Sequence, residues 1–452
     1  MVFKPIYILI LGFTIVVDYF AGILLENTIG KKRTLYLIMS LIANIGVLAF
    51  FKYYNFLNDN IAAILGSLRI ENPIPLLAIV LPIGLSFHTF QAMSYTIEVY
   101  RGKHKAERHF GIYALYVMFY PQLVAGPIER PQNLLHQFHD KHTFDYQRVV
   151  DGLKLMTWGL FKKVVIADRL AVAVNQIYAD PSSYQGIHFL IATFFYAFQI
   201  YCDFSGYSSI AIGAAKVMDI KLMMNFNTPY FSKSIHEFWT RWHISLSSWF
   251  RDYFYISLGG NRVSKSRWYL NLLLVFMVSG LWHGANWTFV VWGSINGFYL
   301  VFSILTKSYR DKVVGVFFRN PDSKVLGALR ILTTFGLTCV AWIFFRATSL
   351  HDAMYILTHL FSGFGDIVRM KNVGLLGSLF SSFGLEKKEF IYAAVSIVLL
   401  LVVDVLNDRI HLIPWLKTKH VVVRWAAYYG LVVLIIAYGA FSTSQQFIYF
   451  QF

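Results

Sequence analysis

The sequence predicts an all-α polytopic membrane protein, with about ten transmembrane helices plus re-entrant and interfacial helices in one domain over residues 1–452. Hydrophobic residues make up 57% of the 452 residues and charged residues only 14%, and the mean hydropathy is +0.53. A soluble domain of this size carries more charge. Apolar runs of about 18 residues or more recur along the chain, and each is long enough to cross roughly 30 Å of hydrocarbon.

The excess of basic residues agrees with this fold class. The formal net charge of +16 arises from 40 Lys and Arg against 24 Asp and Glu. In a soluble protein such a charge points to nucleic acid. Here the basic residues cluster in short loops such as 31–33 and 101–108, as the positive-inside rule expects. We therefore predict no nucleic-acid partner, both loops in the cytoplasm and the N-terminus outside.

Three spans are predicted first, over residues 5–25, 35–51 and 74–99. On the third, His88 and Gln91 lie three residues apart and share a helical face, which either lines a cavity or is satisfied by a neighbouring helix. The apolar stretch 110–130 is too short to complete a span because prolines and glycine interrupt it, and it predicts a re-entrant element.

Residues 151–178 mix apolar and charged positions at helical spacing. Lys162 and Lys163 favour an amphipathic helix at the cytoplasmic surface over a span. The next apolar run, 187–218, holds Asp203 near its middle, and an acid at that depth either forms a structural pair or belongs to a site. Later spans are predicted over residues 268–285, 286–306, 326–346, 390–407 and 421–441.

The segment 233–256 is too charged for a lipid-facing span. His236 and His243 are seven residues apart, two helical turns, so a continuous helix would place them on one face. Glu237 and Arg241 form an i,i+4 pair that could simply support a helix surface. The tryptophans of this segment could form only an interfacial belt, and we predict a helix near the membrane surface.

His283 lies in a second segment with candidate site residues, 279–293, and is placed between Gly280 and Gly284. The G-x-x-x-G spacing allows another helix to approach closely, and continued helix would bring Asn286 onto the face of His283. This arrangement suits a general base that reaches a hydroxyl group. From the pattern alone, a structural histidine is as good an interpretation.

Several classes of site lack their motifs. HEFWT has Thr240 where the zinc motif H-E-x-x-H needs its second histidine, no C-x-x-C occurs, and we predict no metal site. The phosphate-binding pattern G-x-x-x-x-G-K-[ST] and the dinucleotide-binding pattern G-x-G-x-x-G are missing, and so is the serine hydrolase pattern G-x-S-x-G.

The chain resembles the membrane-bound O-acyltransferases, and among them the bacterial subunits that O-acetylate alginate and peptidoglycan. The resemblance rests on LPIGLSFHTFQAMSY, FYPQLVAGPIER, YCDFSGYSSIAIG, NFNTPYFSKSIHEFWTRWHISLSSWFRDYFYISLGGNR, GLWHGANWTFVVWG, AWIFFRA and the terminal FIYFQF. It implies helices around a through-membrane tunnel in the bacterial cytoplasmic (inner) membrane. It further implies transfer of an acetyl group from cytoplasmic acetyl-CoA, with no bound cofactor, to an exported polysaccharide.

The resemblance also assigns residues. His283 matches the catalytic histidine of the W-H-G motif, His243 the histidine of the R-W-H motif, and Tyr449 a C-terminal tyrosine thought to carry the acyl group to a periplasmic SGNH or esterase-like partner. Without the resemblance, Tyr449 is interpreted as an aromatic anchor at the membrane interface. A basic surface of Lys162, Lys163, Arg241 and Arg251 is expected to bind the phosphates of acyl-CoA. Our candidate substrate-binding residues are Arg241, Asn286, Trp282, Asp203, Lys162 and Arg251.

Three functions are compared on this basis. The first is the O-acyltransferase, acting on alginate or, as the alternative, on peptidoglycan or another envelope glycan. The second is a transporter or channel for an acyl donor, which would more often show repeat symmetry with interrupted helices. The third is a non-catalytic scaffold, which would not need buried histidines. We expect the first.

Overall fold

Proline and glycine decide where the third predicted span becomes helical. The computed structural model describes residues 7–79, 81–82, 84–318, 320, 322–363, 379–410, 412–441 and 445–448. The predicted third span is not helical over residues 74–79 and 81–82, because the prolines there lack an N–H group and restrict the residue before them. The helix begins only at Leu85, after Gly84 at φ 80°. The second span instead continues through a π-helical turn to Ser67.

Contacts between backbone segments divide the chain into two compact units. The first comprises Met1–Leu153 and Ala211–Met223, and the second Lys154–Ile210 and Met224–Phe452. The helices up to residue 217 are α1 Tyr7–Asn27, α2 Lys31–Leu48, α3 Tyr54–Ser67, α4 Leu85–Tyr100, α5 Phe110–Met118, α6 Pro131–Leu134, α7 Tyr146–Leu160, α8 Asp168–Ala179 and α9 Ile187–Val217.

Five of the remaining helices lie at the positions of the five later predicted spans. They are α10 Ile235–Arg241, α11 Ile244–Trp249, α12 Lys265–His283, α13 Trp287–Leu305, α14 Lys307–Phe317, α15 Lys324–Arg346, α16 Leu350–His359, α17 Lys387–Ile410, α18 Leu412–Lys417 and α19 Val421–Tyr438. Among the described residues, seven helices are long and apolar enough to cross a membrane, against about ten expected: α1, α2 continued by α3, α9, α13, α15, α17 and α19. The helical, multi-pass membrane fold is confirmed.

Buried polar groups join helices within the first unit. The carboxylate of Asp18 on α1 accepts hydrogen bonds from Ser40 at 2.6 Å and from Asn44 at 2.8 Å, both on α2. Ser40 also donates to Thr96 on α4 at 3.2 Å. Such polar contacts hold helices together where lipid supplies no hydrophobic driving force between them.

The face of His88 and Gln91 serves this same packing. His88 Nε2 lies 2.8 Å from the carbonyl oxygen of Leu123, and Gln91 accepts a hydrogen bond from Gln122 at 3.0 Å. Both partners follow α5, a short helix that ends at Met118 as the interruptions predict. Of the two interpretations left open for this face, the structure supports the one in which a neighbouring segment provides hydrogen-bond partners for His88 and Gln91.

The segment with Lys162 and Lys163 is helical from Tyr146 to Ala179, through a π-helical turn over Phe161–Ala167. It does not place Lys162 at a surface, because only 5% of that residue is exposed. Its ammonium donates to the carbonyl oxygen of Ser205 at 2.9 Å and to the hydroxyl of Ser209 at 2.9 Å. The prediction that Lys162 belongs to an exposed basic surface is therefore wrong.

Candidate active site

The second unit brings His243 and His283 together. The centroids of their imidazole rings lie 6.4 Å apart, although 40 positions (283 − 243) separate them in the sequence. His243 is 1% exposed and His283 6% exposed. Two buried histidines this close form a candidate site with more support than either residue gives alone.

The chain turns at His243. Helix α10 ends at Arg241, and His243 adopts a left-handed backbone with φ 44° and ψ 53° before α11 begins. For a residue other than glycine this conformation costs of order 1–3 kcal/mol, and such residues cluster at functional sites. The prediction that His236 and His243 share a helical face is therefore wrong, and His236 is exposed.

A neighbouring segment holds this turn in place. The carbonyl oxygen of Asn225 accepts the N–H of Ile244 at 2.9 Å, and its side-chain oxygen accepts the hydroxyl of Ser245 at 2.9 Å. The N–H of Asn227 donates to the carbonyl oxygen of Arg241 at 2.9 Å. Sequence reasoning did not single out Asn225, because its burial and its hydrogen bonds to Ile244 and Ser245 are not visible in the sequence.

Aromatic rings surround both imidazoles. The ring of His283 lies 4.9 Å from Trp282, 5.1 Å from Trp292 and 5.2 Å from Phe345, between ring centroids. The ring of His243 lies 4.5 Å from Phe204 on α9. Burial lowers the pKa of His243 well below its usual value, so this imidazole is neutral at pH 7.

The tryptophans of the central motifs belong to this interior. Trp242 is 3% exposed, Trp249 5% and Trp282 4%, and Trp242 packs on Trp342 with centroids 5.1 Å apart. The interfacial belt considered for Trp242 and Trp249 is therefore wrong. Of the three, Trp282 packs beside both histidines, with ring centroids 6.3 Å from His243 and 4.9 Å from His283.

Close packing of α12 on α13 fixes the position of His283. A Cβ atom added to Gly280 would lie 2.2 Å from the carbonyl oxygen of Phe289, and one added to Gly293 would lie 2.1 Å from that of Phe276. Only glycine permits these approaches, as the G-x-x-x-G spacing predicts.

Asn286 takes a different role from the one expected. Helix α12 ends at His283, so the two residues do not share a helical face. Asn286 instead caps α13, where its side-chain oxygen accepts the N–H of Thr288 at 2.9 Å and its amide donates to the carbonyl oxygen of Thr348 at 3.2 Å. The prediction of an amide on the histidine's own helical face is wrong.

Asp203 is part of a buried ion-pair cluster. Lys163 Nζ lies 2.8 Å from Asp203 Oδ1 and 2.7 Å from Asp168 Oδ1. The other oxygen of Asp203 accepts the N–H of Ile448 at 2.7 Å. Asp203 precedes Phe204, whose ring meets His243, so the cluster adjoins the site. Tyr449 lies outside the described residues.

The expected basic surface is reduced to one exposed cation. Lys162 is buried, Lys163 pairs with two carboxylates, and Arg241 pairs with Glu237 at 2.9 Å and with Asp408 at 3.5 Å. The Glu237–Arg241 pair is the i,i+4 contact that the spacing predicts. The side chain of Arg251 is 64% exposed and lies 2.8 Å from Asp252. In the described part of the chain, no three His, Cys, Asp or Glu residues are grouped to hold a metal ion.

Comparison with known proteins supports the resemblance drawn from the motifs. The family model of the membrane-bound O-acyltransferases matches residues 76–349. The chain is 40% identical over 359 residues to the probable alginate O-acetylase AlgI of Pseudomonas aeruginosa, covering 79% of this chain and 66% of the relative. It is 37% identical over 378 residues to the peptidoglycan O-acetyltransferase of Helicobacter pylori, covering 78% of this chain and 69% of the relative.

A more distant relative carries a different name. The chain is 30% identical over 281 residues to the teichoic acid D-alanyltransferase of Streptococcus thermophilus, covering 58% of this chain and 68% of the relative. The matches to the alginate O-acetylases of P. aeruginosa and Azotobacter vinelandii span 66% and 63% of those proteins' lengths.

Proposed function

This chain belongs to the membrane-bound O-acyltransferase family, and we propose that it is an enzyme that transfers an acetyl group across the bacterial inner membrane. The donor is cytoplasmic acetyl-CoA and the final acceptor is a hydroxyl of an exported polysaccharide. The observation that carries the proposal is the pairing of His243 and His283, whose rings lie 6.4 Å apart in a buried aromatic environment. Neither a transporter nor a scaffold requires such a pair.

In the proposed reaction His283 acts as general base. The imidazole takes the proton of an attacking hydroxyl while the hydroxyl oxygen forms a bond to the thioester carbonyl carbon. The carbon–sulfur bond then breaks, and the CoA sulfur leaves with the proton returned by the imidazolium. His243 is neutral and orients a reacting group by hydrogen bonding. Trp282, which packs on His283, shields the reacting atoms from water.

The first acceptor in this scheme is the phenol of Tyr449. A phenol is a weak nucleophile until a base assists it, and His283 supplies the base. A hydroxyl of a periplasmic SGNH or esterase-like partner then attacks the carbonyl carbon of the acetyl-tyrosine ester. The bond from that carbon to the phenolic oxygen breaks, the proton of the hydroxyl restores the phenol, and the partner completes transfer to the sugar. Alginate is the proposed polysaccharide because relatives named alginate O-acetylases are 40 to 42% identical to this chain. Peptidoglycan is the alternative.

The donor is proposed to approach Arg251, where an exposed guanidinium can bind phosphate groups. Among Arg241, Asn286, Trp282, Asp203, Lys162 and Arg251, only Arg251 combines a cation with high exposure. The ammonium of Lys162 is engaged by serines, and burial lowers its pKa to about 8.

The deciding experiment incubates purified protein with acetyl-CoA labelled in the acetyl group and follows free CoA and label on protein. His283→Ala is expected to slow CoA release roughly 10²- to 10⁴-fold, the usual contribution of a general base. Tyr449→Phe is expected to lose the protein-bound label. His236→Ala is the matched control, because this histidine is exposed on α10. CoA release from His283→Ala at the wild-type rate would exclude the proposed role.

Acceptor identity is tested separately. The same protein, with periplasmic extract, receives alginate in one reaction and peptidoglycan in another, and label on each glycan is counted. Label on alginate alone supports the first proposal, and label on peptidoglycan alone transfers it to the alternative. Passage of intact acetyl-CoA into sealed vesicles, with no CoA released, would instead favour a transporter.

A further inference from the structure

Several contacts dock the C-terminal segment, residues 438–441 and 445–448, onto the second unit. Arg169 donates to the carbonyl oxygen of Tyr438, and the N–H of Ala440 donates to the carbonyl oxygen of Val164 at 2.8 Å. Further along, Asn175 donates to Gln445 at 3.0 Å. Ile448 is 1% exposed. The segment is therefore held by hydrogen bonds along its length, and Ile448 lies in the core of the second unit.

A further contact of this segment is made with the carboxylate of Asp203. The backbone N–H of Ile448 donates to Asp203 Oδ2 at 2.7 Å, while Lys163 Nζ lies 2.8 Å from Asp203 Oδ1. Asp203 is 2% exposed, and a buried carboxylate is stable only when it is paired and hydrogen-bonded. Lys163 and the backbone of residue 448 together meet that requirement, one on each oxygen.

The same turn of α9 touches the active site. Phe204 follows Asp203, and its ring lies 4.5 Å from His243 and 6.5 Å from Phe447, between centroids. The ring of Phe447 also lies 5.3 Å from Tyr207, one turn further along α9. The point at which the C-terminal segment is fixed is therefore adjacent to the histidine site.

We propose that Asp203 is a positioning residue, which anchors residues 445–448 of the C-terminal segment beside the histidine site through the N–H of Ile448. This inference rests on the proposed function in one respect, the role of Tyr449 as acyl carrier. It replaces the expectation that Asp203 binds substrate. Asp203 touches no reacting atom in this scheme, because both of its oxygens are occupied by Lys163 and Ile448.

The need for two acceptors makes the proposal specific to a carboxylate. Lys163 forms an ion pair with one oxygen of Asp203, and the N–H of Ile448 donates to the other. An asparagine has one oxygen and one NH₂ group. Its oxygen can accept from either Lys163 or Ile448, but its NH₂ group is itself a donor and cannot accept from the other. Asp203→Asn should therefore weaken the anchor partly, and Asp203→Ala should remove it.

The test measures docking directly, by the reactivity of a cysteine at position 448. Ile448→Cys is placed in a Cys339→Ser background, and the rate of modification by a polar maleimide is measured in detergent. Asp203→Ala is expected to raise this rate roughly 10- to 100-fold, because a hydrogen bond to a charged group is lost. Asp203→Asn should give a smaller rise.

Asp168→Ala is the matched control, since it removes the other carboxylate on Lys163 without touching Ile448. It should leave the rate nearly unchanged. Cys202, which is 0% exposed, reports folding in every variant because it reacts only when the core opens. If Asp203→Ala exposes Cys202, the Asp203→Asn variant decides. An unchanged rate at position 448 in a folded Asp203 variant would overturn the anchor.

Acetyl transfer provides the second readout. In native protein with Ile448 intact, Asp203→Ala is expected to reduce label on the protein while leaving the apparent affinity for acetyl-CoA unchanged. A raised KM for acetyl-CoA at an unchanged maximal rate would mean that Asp203 binds donor, and would overturn the proposal. If wild type takes up no label but the cysteine rates still respond to Asp203, the anchor stands and the proposed function fails.

Discussion

Asn225 and Ser245 are joined by two hydrogen bonds across 20 positions of sequence. The side-chain oxygen of Asn225 accepts the backbone N–H of Ser245 at 3.2 Å and its hydroxyl at 2.9 Å. The amide of Asn225 donates in turn to Ser208 on α9 at 3.2 Å. Helix α11 begins at Ile244, directly after His243, and Ser245 is its second residue. The contact with Asn225 therefore fixes the start of the helix that follows the histidine.

Replacing Asn225 by alanine should therefore displace His243. We expect Asn225→Ala to slow CoA release roughly 10- to 100-fold, since a small misplacement of a catalytic group has effects of that size. The free energy of unfolding should fall by about 1–3 kcal/mol, because buried donors lose their acceptor. Asn227→Ala is the control: its side chain is exposed, and a similar loss there would contradict the assignment.

Gly280 should tolerate no side chain. In Gly280→Ala the new Cβ would meet the carbonyl oxygen of Phe289 at 2.2 Å, so α12 and α13 must separate. Overpacking of this kind costs about 1–3 kcal/mol, and it would move His283 three residues away. Thermal unfolding and CoA release should both report the damage. Gly336→Ala on α15, where a Cβ meets nothing within 4 Å, should match wild type.

Glu129 should make stability depend on pH in the first unit. Burial, opposed by the N–H of Met223, raises the pKa of Glu129 to about 7. The folded state therefore holds a proton that the unfolded chain releases near pH 4.5, so stability falls as pH rises from about 5 to 8 and the loss is complete above the folded pKa. The shift corresponds to about 3 kcal/mol, at about 1.4 kcal/mol per pKa unit.

Glu129→Gln should make that slope shallower, since an amide stays neutral and keeps an oxygen for Met223. Unfolding temperatures of both proteins between pH 5 and 8 provide the measurement. Glu71→Gln, at an exposed carboxylate, should keep the wild-type slope. An equally steep slope in Glu129→Gln would show that Glu129 does not contribute to it.

Arg251 should govern the affinity for the donor. Arg251→Glu is expected to raise the KM for acetyl-CoA several-fold, more at low salt than at high salt, because exposed charges are screened. Asp252→Asn removes the carboxylate 2.8 Å from Arg251 and should shift KM in the opposite direction. Equal KM values for the wild type, Arg251→Glu and Asp252→Asn would show that Arg251 does not bind the donor.

The sequence was sufficient where a local pattern determines structure. The apolar run predicted over 286–306 forms α13 over Trp287–Leu305, and that over 187–218 forms α9 over Ile187–Val217, because continuous apolar helices are strongly specified by length and hydropathy. The glycine spacing at Gly280 also predicts a close helix contact correctly. The resemblance led to both histidines, and the structure brings them together.

Features that depend on distant contacts escaped prediction. The turn at His243 depends on hydrogen bonds that Ile244 and Ser245 donate to Asn225. A residue in the left-handed region leaves no periodic pattern in the sequence from which it could be predicted. Burial of Lys162 depends on serines of α9 that lie 43 and 47 positions away. When only its neighbours in sequence are considered, a lysine at helical spacing is therefore predicted to lie at the surface.

The bond between Asp203 and Ile448 also imposes an order on synthesis. The acid is translated 245 positions before the N–H that completes its coordination. At about 5–20 residues per second, the ribosome needs roughly 12 to 50 s to cover that interval. During this time Lys163, forty positions earlier in the chain, is already present to neutralise the carboxylate. The C-terminal segment therefore cannot be fixed beside the histidine site until translation has passed Ile448. In the proposed scheme, a nascent chain cannot transfer the acyl group to Tyr449 before then.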